Sequence, residues 1–335
     1  MDGLHFREAT LDDAAFSADV QSAVWPERPT DPVVERYWWE QPDDTYVSRR
    51  WVAVRDGGDV GVASLHHPAW DRLQQPHGWI EGELLPEQRD AATLGTLIAE
   101  VERRLVAEGA ARVGVRANED DEVRIAAIQR LGFREDRRSR RWMLDLVGNR
   151  ERIATMTDQS RARMRAEGIE MVTLNRDTDP EKYRKMWRMN EDAAQDVPTT
   201  LPNVEESFED AMRWLRSPDI HEDRLWVARE RDEIVGVSVL AYPPVRGVVG
   251  TSWTATARRV RGRGIARALK CETVTQAIAL GVDRVHTGND GANDPILHIN
   301  ASMGYRPWVG AVKFLKDEPA AGQRSALRGS GTREG

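Results

Sequence analysis

The chain has 335 residues and a net charge of −7, a length that fits one large domain or two of about 150 residues. Hydrophobic residues make up 40% and charged residues 31%, with no apolar run near the ~18 residues of a membrane span, so membrane-spanning and disordered classes are excluded. The acidic balance argues against a nucleic-acid partner, the single Cys271 excludes a disulfide framework or a multi-cysteine metal site, and the opening MDGLHFREAT lacks a secretory layout, so a cytoplasmic location with no metal is expected.

In chain order, the first clear element is WVAVRDGGDVGVASL at 51–65, whose alternating apolar residues flank Asp56, Gly57 and Gly58 and so predict a β-hairpin. Next, 84–115 reads as strand, loop, helix, strand; Leu94, Leu97, Ile98, Val101 and Leu105 fall at helical spacing and Gly109 ends the helix. QRLGFRE follows at 129–135, and then NRERIATMTDQSRARMRAEG, rich in charged and small residues, predicts a linker helix over 148–168. All of this then recurs. WVARERDEIVGVSVL at 226–240 aligns with the first hairpin without a gap at an offset of 175, and 256–287 repeats the strand, loop, helix, strand order with its stop at Gly281. ASMGYRP at 301–307 mirrors QRLGFRE, and Asp90 to Gly132 spans the same 42 residues as Gly262 to Gly304. Two tandem copies of one mixed α/β domain follow, at 1–147 and 169–317, with a polar segment at 318–335 expected to be a mobile tail.

The sharpest local feature is RRVRGRGIARAL at 258–269, between a strand and a helix. Gly262 and Gly264 let the backbone approach a ligand closely, the amides at the helix start face an anion, and Arg258, Arg259, Arg261 and Arg263 add positive charge. A polyphosphate suits this loop. Read alone, it is equally a glycine turn with a solvated arginine face; it is neither a Walker loop nor a GxGxxG fingerprint.

The run Arg259-Val260-Arg261-Gly262-Arg263-Gly264 matches the [QR]-x-x-G-x-[GA] signature of the GNAT acetyltransferase superfamily. Asn293, Asn300 and the Gly304-Tyr305 step match its second element, so 169–317 resembles a GNAT domain and the whole chain a tandem pair of GNAT-type acyl-CoA N-acyltransferase folds. The resemblance implies acetyl-CoA as co-substrate, its pyrophosphate on the amides from Val260 to Ile265, including Arg261, Gly262, Arg263 and Gly264, with its pantetheine arm along the strand holding Thr254 and Thr256 and a further contact at Asn293. As a bland alternative, Asn293 lies in a turn where Asp294 caps a helix and Pro295 occupies its first turn.

In the first copy, Glu87, Asp90 and Ala92 stand at the positions of Arg259, Gly262 and Gly264, and Asp121 and Ile128 at those of Asn293 and Asn300. A carboxylate there repels phosphate, so this copy is expected to extend the fold, shape an acceptor pocket or mediate a homodimer. The expected reaction is direct attack of a small-molecule primary amine on the thioester in the second copy. Asn300 occupies the position where many such enzymes carry a tyrosine acid, and an amide cannot donate a proton and regenerate at neutral pH. Glu191, Asp192 and Asp196, in MNEDAAQDVP, are the candidate bases, with solvated carboxylates as the plain alternative. His298 is a candidate to line the site, while His286, Cys271, Trp51 and Trp226 read as packing residues and Trp38 and Trp39 as possible pocket walls. Another acyl thioester or aminoacyl-tRNA as donor, and a non-catalytic coenzyme A sensor or scaffold, are the alternative functions.

Overall fold

The computed structural model describes residues 3–41, 45–202 and 204–318. The chain begins with β1 (His5–Glu8), α1 (Ala14–Val24), α2 (Pro32–Glu40), β2 (Tyr46–Arg55), β3 (Gly58–Pro68) and β4 (His77–Leu84). It continues through α3 (Ala91–Glu108), β5 (Arg112–Asn118), α4 (Glu122–Arg130), β6 (Arg134–Asp145) and α5 (Arg150–Ala166). The second half holds β7 (Glu170–Thr173), α6 (Lys182–Ala194), α7 (Phe208–Leu215), β8 (Leu225–Glu230) and β9 (Glu233–Ala241). It ends with β10 (Gly250–Thr256), α8 (Ile265–Ala279), β11 (Arg284–Asp290), α9 (Asp294–Met303) and β12 (Arg306–Asp317).

Both expected hairpins form. Trp51 pairs with Ala63 across β2 and β3, and Val227 with Val237 across β8 and β9, around turns where Asp56 and Arg231 take positive φ. After the hairpins, which repeat at 175, the backbone settles to an offset of 172. β5 and β11, and the starts of α4 and α9, lie 172 residues apart, and the helix-ending glycines Gly109 and Gly281 both adopt left-handed φ that L side chains rarely tolerate.

The chain forms two compact units whose limits interleave in sequence: Met1–Thr10, Asp44–Arg137 and Val312–Gly335 in one, Leu11–Asp43 and Arg138–Ala311 in the other. The expectation of 1–147 followed by 169–317 divides the chain consecutively; instead the first unit takes the end of β12 from Val312, and the second takes α1 and α2. Val312 and Phe314 of β12 are buried in the core of the first unit, beside α3 residues Leu97 and Val101, and Arg112 pairs with Asp317 at 2.5 Å. Reciprocally, β6 pairs antiparallel with β11 from Arg284↔Asp145 to Asp290↔Ser139 in the second unit. The 148–168 segment, expected as a linker helix, holds α5, which packs on α8 within the second unit, with Thr157 and Thr275 hydroxyls 2.8 Å apart and Arg161 bonded to the buried Glu272. Of the tail expected from Glu318, all but that residue lies outside the described residues.

In the first unit the strand order is β1-β2-β3-β4-β5 followed by β12, covered by α3 and α4. In the second it is β6-β11-β10-β9-β8-β7. One face of that second sheet buries Leu240 and Val285 under α5, α8 and α9, and the other buries Val237, Val239 and Ala255 under α6 and α7. α1 and α2 belong to this unit as well: Asp31 caps α2 through the Val33 and Val34 amides and accepts from the Val245 and Arg246 amides at 2.7 and 2.9 Å. Trp38 and Trp39 therefore belong to the second unit, not to the first copy's own fold.

Candidate active site

Two features of the second unit, a loop and a gap, make the site. β10 is bonded to β9 along its length with a bulge between Thr251 and Trp253, but it pairs with the parallel β11 only at Gly250↔His286. Beyond that vertex the strands diverge, so backbone groups of β10 that face away from β9 have no strand neighbour. A polar arm of peptide-like character fits there, because it supplies the bonds a missing strand would make. In the first unit, β4 and β5 stay paired over His77↔Arg112 to Ile80↔Val115, and β3 and β4 pair without a bulge.

The gap leads to the glycine loop. Gly262 and Gly264 have φ of 78° and 87°, and Gly264 occupies the N-cap of α8 with no side-chain cap. Among the described residues, the Gly262, Arg263 and Gly264 amides have no acceptor, and neither do the first-turn amides of α8. Around Gly262 there is open space where a Cβ would point, while a Cβ on Gly264 would come within 3.0 Å of the Arg163 guanidinium. Several unsatisfied donors and the positive end of a helix dipole thus gather at one turn, an arrangement chemically suited to an anion such as a phosphate.

The loop arginines differ from the mobile charges that the sequence leads one to expect. Arg258 grips Asp196 through two bonds of 2.7 Å and Arg261 reaches the same carboxylate at 2.6 Å. Arg259 pairs with Glu230, and Arg263 bridges Glu230 at 2.7 Å and Glu167 at 2.8 Å. These pairs hold the Asp196 and Glu230 carboxyls down at about 2, in both cases chiefly through the guanidinium hydrogen bonds. Exposed pairs of this kind are weak because water and salt screen them, so an anionic ligand can exchange for the carboxylates with little loss.

Asp196 is consequently drawn to the glycine loop and held as an ion, which makes it a weak proton acceptor; its structural role is that of a counter-ion. Glu191, on α6, accepts from the Glu206 amide at 3.0 Å, and Asp192 lies 3.6 Å from Arg258. Asn293 is the N-cap residue of α9, one position before the Asp294 expected there; its side chain makes no capping bond and is available to a ligand. Thr254 bonds the Ser238 hydroxyl at 2.8 Å, and the Thr256 carbonyl accepts from Arg261 at 3.3 Å. The Val260 and Ile265 side chains are buried and anchor the loop. Asn300 is fully buried; its Nδ2 donates to Asn289 Oδ1 on β11 at 2.8 Å, and its Oδ1 has no partner. His298 is exposed, whereas the His286 ring packs on Gly250 and burial pushes its pKa down to about 4. Cys271 is a buried, free thiol of the α8 core.

The first unit shows the same frame closed by its own side chains. Asp90 caps α3 by accepting from the Ala92 and Thr93 amides, and Arg89, at the Arg261 position, bonds Glu83 at 2.8 Å and Asp121 at 2.6 Å. The Ala92 and Thr93 amides are thus satisfied and the cation is spent internally.

Sequence reading missed the counter-ions Glu167 and Glu230, because ion pairing across elements leaves no local pattern. It also missed Lys270, whose signal was a lysine on the buried stripe of α8.

The glycine cradle at the start of α8 and the splayed β10 and β11 both lie within a segment that matches a family model. Residues 185–305 match the family model described as acetyltransferase (GNAT) family. No curated protein matches the sequence. The fold is similar to that of a tandem GNAT protein from the clavulanic acid biosynthesis pathway, 16% identical, with a TM-score of 0.72 and coverage of 95% of this chain and 99% of that one. It is also similar to a GCN5-related N-acetyltransferase from Sphaerobacter thermophilus (18% identity, TM-score 0.66, 95% and 96% covered) and a GNAT-family acetyltransferase from Colwellia psychrerythraea (12%, 0.60, 94% and 100%). The tandem GNAT-type fold that the resemblance implies is thus the fold observed.

Proposed function

We propose that the second copy transfers an acetyl group from acetyl-CoA to a primary amine of a small molecule. The observation that carries this is the contrast at one turn: among the described residues the Gly264 and Ile265 amides are unpartnered, while the matching Ala92 and Thr93 amides of the first copy are capped by Asp90. In this reading the pyrophosphate sits on the uncapped amides, the pantetheine arm lies beside Trp253 to Thr256, and Asn293 adds a polar contact. In the same reading Asn300, whose buried Oδ1 has no partner, is assigned to the reacting end, and Glu191 and Asp192 give the acceptor side an acidic character that suits a cationic amine. The amine proton goes to water or to Glu191. Asn300 itself favours one second reading, a coenzyme A sensor that does not turn over.

Thermal shift with acetyl-CoA, followed by thiol release against a panel of amines, tests these readings. A shift with amine-dependent thiol release supports transfer. A shift with no release on any amine supports the sensor, and no shift removes the coenzyme reading.

A further inference from the structure

Lys270 is 1% exposed, and among the described residues no carboxylate pairs with it. Its Nζ has one long contact, 3.4 Å to Thr251 Oγ1, and lies 5.2 Å from the centre of the Tyr305 ring. The buried Tyr305 hydroxyl beside Thr251 likewise lacks a hydrogen bond of good geometry. An unpaired buried ammonium is costly, so something other than stability keeps it there.

The first copy is an internal control. At the constant offset of 172, Lys270, Asn300 and Tyr305 correspond to Ile98, Ile128 and Phe133, all buried in an apolar core. The same frame therefore folds without these polar groups. They occur in the copy that has the splayed gap and the uncapped amides.

Their position follows from the bulge. Trp253 and Ala255 pack toward α6, and unbroken alternation would turn Thr251 to that face too. The extra residue, Ser252, instead aligns Thr251 with Leu240, which faces α8, and sets the half-buried threonine over Lys270 one residue beyond the vertex of the gap. An arm that starts at the glycine loop and runs back along Thr256 to Trp253 ends here.

We propose that Lys270, acting through the Thr251 hydroxyl, stabilises and protonates the thiolate released from the acyl donor, in place of the acid that Asn300 cannot be; this rests on the coenzyme reading above. As the acceptor nitrogen bonds to the acyl carbon, the carbon–sulfur bond breaks and its electron pair goes to sulfur. Thr251 Oγ1 passes its proton to that sulfur and takes one from Lys270 Nζ, which is left as a neutral amine. The proton shed by the acceptor nitrogen goes to water, and Lys270 regains a proton from solvent once the thiol has left. Burial lowers the Lys270 pKa to about 8, within range of a thiol. The titratable groups beside it are Cys271, its neighbour on α8, and Tyr305, both with pKa values raised by burial; from α5, Ser160 faces Cys271 and Arg161 is bonded to Glu272.

The test uses the full chain and free coenzyme A, reading thiolate ultraviolet absorbance against pH with binding measured in parallel by calorimetry. Bound coenzyme A is expected to hold about tenfold more thiolate at pH 7 than free coenzyme A, and Lys270→Met to remove that excess while still binding. Thr251→Val should reduce it and Thr251→Ser restore it, which keeps the test decisive if Lys270→Met does not fold. Binding with an unshifted thiol, or an excess that survives both Lys270→Met and Thr251→Val, overturns the proposal alone. Failure of the wild type to bind coenzyme A overturns the coenzyme reading with it.

Discussion

Thr93 donates both its backbone amide and its hydroxyl to the Asp90 carboxylate, at 2.9 and 2.7 Å. The Thr93 hydroxyl bond is also the main cause that lowers the Asp90 pKa, so the group stays ionised at neutral pH. An anion already occupies the start of α3, and it is covalently part of the chain. The corresponding turn before α8 has glycine there and leaves the same donors to a ligand.

Moving that anion into the second copy should close its site. Gly262→Asp is expected to abolish acetyl-CoA binding in calorimetry while circular dichroism stays unchanged. The open space at Gly262 accepts the side chain, although its φ of 78° makes the substitution cost about 1–2 kcal/mol.

The reverse change separates capping from competence. Asp90→Ala should lower stability by about 0.5–2 kcal/mol through loss of the α3 cap, read as a fall in melting temperature. It should not create a second coenzyme site, because β4 and β5 remain paired and Arg89 remains bonded to Glu83 and Asp121. Calorimetry should still give a single equivalent per chain.

Asp196→Asn distinguishes a counter-ion from a base. It frees Arg258 and Arg261, so coenzyme affinity should rise, with a steeper dependence on salt, and thiol release should persist. Loss of turnover with unchanged affinity would instead make Asp196 the proton acceptor.

The buried lysine has a signature in stability. Its folded pKa of about 8 lies below the ordinary 10.5, so between these values the unfolded chain binds more protons and folding stability rises with pH. Tyr242, raised to about 12 by burial, and Tyr305, also raised, oppose this once tyrosines ionise in the unfolded chain above about pH 10. Urea unfolding from about pH 8 to 10 should therefore show a positive slope that Lys270→Met removes. That variant should also be more stable at pH 7 by about 1–3 kcal/mol.

The repeat, the two hairpins, the helix stops at Gly109 and Gly281 and the loop at Gly262 and Gly264 were legible in the sequence, because each depends on local periodicity or on a backbone conformation that glycine alone adopts easily. The same locality exposed the inequality of the copies, through Asp90 at the place of Gly262. Other decisions belong to the tertiary structure. Alternation marks β6 and β12 as strands but carries no record of their partners, and only folding places Phe314 in the first unit's core and Leu144 in the second's. Likewise the arginines of the loop are visible in sequence as positive charge, whereas their pairing with Asp196, Glu230 and Glu167 arises from elements distant in the chain. What began as a choice between one domain and two is resolved as two interleaved units, one closed by its own ions and one left open at its amides.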